Sequence, residues 1–239
     1  MDEKFIDIKA NNSIKYLHRK NEGKPKILFL HGVGSRSEYF NTIMKYFYND
    51  FEIFAPDFRG HGKSFFSEEK YRLLNYSEDI NFFHKKIIKD NFYLAGLSMG
   101  GRVGLTFQIE YPGKINKLII IDAGPDIDPS GLNRMIKAQK SLPPYFENRM
   151  ELEKYYNKYY GVLGKIYIDY ILEFNWKIDE QGRAITSYDR KIWDYHEEEI
   201  VLECDYLNNH ISSINIPVLI LRGELSDILN KKDALKFLS

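Results

Sequence analysis

The chain has 239 residues, 44% of them hydrophobic and 28% charged, which suits one sizeable α/β domain with an insertion and falls short of two independent cores. Lysine plus arginine equal aspartate plus glutamate at 34 each, so no net field draws the protein to nucleic acid or to an anionic membrane, and neither is expected as a partner. The single cysteine, Cys204, excludes an internal disulfide and has no companion at metal-ligand spacing; it reads as a small core residue, and no metal is expected. The opening Met1-Asp2-Glu3-Lys4-Phe5 lacks the pattern of a secretory signal, and no apolar run is long enough to span a bilayer, so a cytoplasmic location is the expectation.

Residues 4–9 and 13–19 alternate in polarity around Asn11-Asn12, which predicts an antiparallel hairpin. Residues 26–31 form an almost continuous apolar run ending in Gly32-Val33-Gly34, the mark of a strand buried on both faces. A helix over 37–48 follows, with Ser37 as its N-cap. The unit repeats as strand 51–55, a loop through Arg59-Gly60-His61-Gly62, and helix 77–89 capped by Ser77. It repeats again as strand 91–97, helix 99–110 and strand 116–122. Alternating strands and helices predict an α/β fold: a mostly parallel twisted sheet with helices on both faces.

From 125 to 212 the pattern becomes helical and rich in tyrosine, including Tyr155-Tyr156 and Tyr159-Tyr160, and predicts an inserted helical cap. Pro217 to Gly223 restores a buried strand, and 231–238 opens another helix. The expected organisation is core at 1–124, cap at 125–212 and the rest of the core at 213–239.

The sharpest chemical signal is Gly96-Leu97-Ser98-Met99-Gly100-Gly101, set between a predicted strand and a predicted helix. A serine at such a turn stands above the sheet, glycines let neighbouring backbone approach, and the next helix points its positive end at a developing oxyanion. With His31-Gly32-Val33-Gly34, Asp57-Phe58-Arg59-Gly60-His61-Gly62-Lys63-Ser64 and Arg222-Gly223-Glu224-Leu225-Ser226-Asp227 in that order, the chain resembles the α/β-hydrolase superfamily over residues 1 to 239.

The resemblance implies Ser98 as nucleophile, Asp227 as the triad acid, and the amides of Val33 and Met99 as an oxyanion hole. Supporting roles fall to His31, Gly32, Gly96 and Gly100. It implies a small ester, lactone, thioester or amide as substrate, and no organic cofactor. Asp122 or Asp126 is the alternative acid. Asp57 and Arg59 are expected to pair with each other.

The superfamily order is Ser, Asp, His, and no histidine follows Asp227. Three readings follow: a relative shortened before its last strand and helix; a substitute base, His196 or His61; or a binding or scaffold protein on a hydrolase fold. The first leaves the strand at 217–222 as an apolar sheet edge and predicts self-association.

Overall fold

The computed structural model describes residues 1–9, 12–160, 164–194 and 197–237. Seven strands form one sheet in the spatial order β1 (Asp2–Lys9), β2 (Asn12–Arg19), β4 (Glu52–Pro56), β3 (Lys26–Leu30), β5 (Phe92–Leu97), β6 (Ile115–Ile121) and β9 (Val218–Leu221). The first two pairings are antiparallel and the remaining four parallel. The expected Asn11 turn position lies outside the described residues.

The apolar runs are continuous because both faces of the sheet centre are covered. Leu28 and Leu30 join Leu94, Leu118 and Ile120 in one core, against α2 (Leu73–Phe83) and α3 (Met99–Glu110). Ile27 and Phe29 point the other way, onto Phe40 and Met44. Those two belong to short helical turns, Ser37–Phe40, α1 (Asn41–Met44) and Lys45–Phe47, where a single helix over 37–48 was expected. The turn starts at Arg36, and Ser37 is not a cap: its Oγ donates to Asp57 Oδ1 at 2.6 Å. Ser77 likewise is no cap. α2 starts four residues earlier and Ser77 is buried within it.

Between β6 and β9 lie α4 (Pro129–Lys140), α5 (Arg149–Tyr160), α6 (Lys165–Phe174) and α7 (Glu197–His210), with a hairpin of β7 (Trp176–Ile178) and β8 (Ala184–Thr186). The insertion is therefore not purely helical; Gly182 at φ 80° supplies the reversal that a helix reading overlooks. Tyr156 packs inward, joining Phe146, Leu152, Ile168, Leu172 and Trp176 in a separate small core, whereas Tyr159 and Tyr167 are exposed. The outermost strand, β9, leaves Leu219 and Leu221 about half exposed, and α8 (Lys231–Lys236) follows it. Among the described residues no helix is long and apolar enough to cross a membrane.

Candidate active site

The parallel strands end level with one another: Leu30 pairs with Gly96, Leu97 with Ile121, and Ile121 with Leu221. The loops carrying Val33, Ser98, Asp122 and Asp227 therefore emerge side by side at the carboxyl edge, where open α/β sheets bind ligands. Ser98 sits between β5 and α3 with φ 50° and ψ −116°, a sparsely populated conformation for a residue with a side chain. Its amide donates to Ile121 O at 2.8 Å, and its carbonyl accepts the Gly101 amide at 2.9 Å. The flanking glycines allow this bend: a Cβ on Gly96 would lie 2.6 Å from Gly101 N, and one on Gly100 2.7 Å from His31 O.

Gly32 passes beside Ser98, where a Cβ would approach Ser98 Cβ to 3.6 Å. Val33, Ser98 and Met99 all line one cleft, which encloses about 700 Å³ counting its open mouth. Among the described residues, neither the Val33 amide nor the Met99 amide donates to an acceptor in the chain. Both are thus available to a ligand oxygen in the cleft. The cleft walls are mainly aliphatic, with Ile127, Leu132, Met135 and Ile136 from the inserted segment; among the described aromatic residues of that segment only Trp193 takes part.

Two buried histidines hold the loops in place. His31 Nδ1 donates to Gly32 O at 2.8 Å while Nε2 accepts the Phe58 amide at 3.0 Å. His61 Nδ1 donates to Arg59 O and Nε2 accepts the Gly34 amide, both at 3.0 Å. Burial holds both rings neutral, with pKa values lowered to about 4 and about 3 respectively. His61 is corrected as a substitute base, because both of its ring nitrogens are taken by backbone groups. His196 lies outside the described residues. Ser98 Oγ has no hydrogen-bond partner among the described residues.

Asp227 follows β9 as expected, but its carboxylate pairs with Arg134 of α4 and is about half exposed; its neighbour Ile228, not Asp227 itself, lines the cleft. Asp122 spends both oxygens on the same loop, accepting Gly223 N and Ser226 Oγ at 3.0 Å each. Asp126 lines the cleft and binds Asn208 at 2.6 Å and Lys236 at 3.0 Å. The expected Asp57–Arg59 pair does not form, because the two side chains leave the loop on opposite sides. Asp57 meets Ser37 and, at 3.6 Å, Lys15. Arg59 grips Asp79 through two hydrogen bonds of 2.6 Å. Cys204 is half-buried, with its Sγ 3.6 Å from two guanidinium nitrogens of Arg102. Sequence reasoning missed Glu203, whose place in the cleft is set by packing of α7 and has no local signature.

With the serine bend at the sheet's carboxyl edge and the cleft above it, the chain belongs to the alpha/beta hydrolase fold family, whose profile matches residues 25–238. A 2-(acetamidomethylene)succinate hydrolase of Mesorhizobium japonicum is 29% identical over 137 residues, 57% of this chain and 49% of that protein, so the match spans about half the relative's length. A pimeloyl-[acyl-carrier protein] methyl ester esterase of Legionella pneumophila is 27% identical over 228 residues, 91% of this chain and 82% of the relative. Among solved structures, E-2-(acetamidomethylene)succinate hydrolase superposes with TM-score 0.82 at 23% identity, covering 99% of this chain and 85% of its own. An alpha/beta hydrolase from Novosphingobium aromaticivorans gives TM-score 0.81 at 21% identity, with 99% and 86% covered.

Proposed function

We propose that the chain is a serine hydrolase of this family acting on a small, largely apolar ester, lactone, thioester or amide, with Ser98 as nucleophile. The observation that carries the reading is the position of Ser98: a positive-φ bend in an apolar cleft, beside Val33 and Met99, whose amides have no acceptor among the described residues. In this reading Ser98 Oγ attacks the carbonyl carbon, and the two amides hold the oxygen that becomes negative. The segment between β6 and β9 acts as a cap that selects what enters.

Turnover is weak in this proposal, since no base stands within hydrogen-bond reach of Ser98 Oγ among the described residues. Loss of one member of a serine triad lowers kcat on the order of 10⁶-fold. A second reading, a binding protein on the hydrolase fold, draws on that same missing base. The test is exposure to a fluorophosphonate probe and a panel of short-chain p-nitrophenyl esters. Slow labelling confined to Ser98 and abolished by Ser98→Ala supports the hydrolase. No labelling of Ser98 at any exposure, with ligands still held in the cleft, supports the binder.

A further inference from the structure

Besides Asp126, whose oxygens are taken by Asn208 and Lys236, the cleft contains one carboxylate that the proposed chemistry does not use. Glu203, on α7, lines the same cleft as Ser98. Its Oε1 accepts the amide of Leu73, the first residue of α2, at 3.0 Å. Its Oε2 has no hydrogen-bond donor among the described residues and is not sealed from the cleft. Arg102 and Arg72 act on this carboxyl through charge, but their hydrogen bonds go to other groups: Arg102 donates to Pro125 O at 2.8 Å, and Arg72 pairs with Glu199. The surrounding walls are aliphatic, so an unmatched carboxyl oxygen there is costly until a ligand supplies a donor.

Building on the reading of this cleft as the substrate site, we infer that Glu203 determines specificity by accepting a hydrogen bond from a hydroxyl or amide N–H on the substrate's apolar chain. The same oxygen disfavours a substrate that carries a carboxylate at that place, through like charge in a dry setting. Glu203 acts on recognition and takes no part in bond breaking. Oε1 fixes its geometry, since the Leu73 amide holds the carboxyl against the start of α2.

Trp193 lines this cleft while Trp176 is buried in the cap's own core, so indole fluorescence reports occupancy over a constant background. The probes are methyl 6-hydroxyhexanoate, methyl 6-methoxyhexanoate and monomethyl adipate, titrated into the protein and into its Ser98→Ala variant to exclude turnover. The hydroxyl ester is expected to bind about tenfold more tightly than the methoxy ester, the effect of one hydrogen bond to a carboxyl group. The adipate is expected to bind more weakly than either. Glu203→Gln keeps the contact to Leu73 through its single oxygen and places an amide N–H where Oε2 stood, so it loses the preference for hydroxyl over methoxy, and Glu203→Met loses it as well. Equal affinities in the unmodified protein, adipate binding as tightly as the hydroxyl ester, or a preference that survives in Glu203→Met would each overturn the inference. Selectivity in the Ser98→Ala protein is independent of labelling at Ser98, so failure of the hydrolase reading and failure of this one are separately visible.

Discussion

His61 Nε2 accepts the amide of Gly34 at 3.0 Å, which ties the loop after β4 to the loop that presents the Val33 amide. Removing the ring leaves the Gly34 amide and the Arg59 carbonyl without partners in the interior. His61→Ala is expected to cost about 2–3 kcal/mol of stability and to slow labelling of Ser98 further, because the Val33 amide loses its fixed position. A urea titration and a labelling time course check both effects; unchanged labelling would remove His61 from the support of the proposed oxyanion site.

The same rings predict a pH dependence. His31 and His61 have folded pKa values of about 4 and about 3, against roughly 6.5 in an unfolded chain. Between those values the unfolded chain binds more protons, so their contribution is fully present above about pH 6.5 and is lost as pH falls toward 4 and 3. Burial raises the carboxyls of Asp57 and Asp79, which act in the opposite sense. The diagnostic is therefore a difference. The stability gap between the unmodified protein and His61→Gln should narrow from pH 7 to pH 5 in urea titrations, and a constant gap would contradict the assignment.

Gly100 has no room for a side chain, since an added Cβ would lie 2.7 Å from His31 O. Gly100→Ala should force β3 and α3 apart and cost about 2 kcal/mol or more, the range of overpacked interiors. Ser98 labelling should disappear with it. Thermal unfolding measures the first effect, and a variant that melts with the unmodified protein would show that the bend can relax.

Since no described residue offers a base to Ser98 Oγ, one can be supplied from outside. Added imidazole should raise p-nitrophenyl ester hydrolysis saturably and reach the cleft above Ser98 through its open mouth. Imidazole also hydrolyses such esters in free solution, so the rate with Ser98→Ala is subtracted. No difference between the two proteins would place the limitation elsewhere than in the base.

The exposed leucines of β9 predict concentration-dependent association. Among the described residues this strand has β6 as its one neighbour in the sheet, and an identical strand from a second copy can pair with its other side about a twofold axis. Light scattering should show mass rising with concentration, and Leu219→Lys should hold the protein monomeric. A concentration-independent monomer in the unmodified protein would exclude this pairing.

The strand and helix order was legible because strands covered on both faces read as unbroken apolar runs, and Ile27 to Leu30 do so whatever surrounds them. Ser98 was legible for a similar reason: a bend that demands glycine at 96 and 100 writes itself into the local sequence. The partners of charged groups were not. Asp57 and Arg59 stand two residues apart, yet each is claimed by a residue distant in sequence, Ser37 and Asp79, which only the folded loops bring near. The tyrosines of the inserted segment show the same limit, since periodicity marks an inward face without saying whether it looks onto a ligand or onto Phe146 and Trp176.

β6 and β9 are neighbours in the sheet although the whole inserted segment separates them in the chain. Both ends of that segment are thus held one strand spacing apart, about 4.8 Å, by hydrogen bonds that belong to the scaffold beneath. A foreign insert of quite different length could be grafted between Ile121 and Val218 with its closure already set by the sheet. Selectivity can therefore diverge among descendants of this architecture while the serine bend stays as it is.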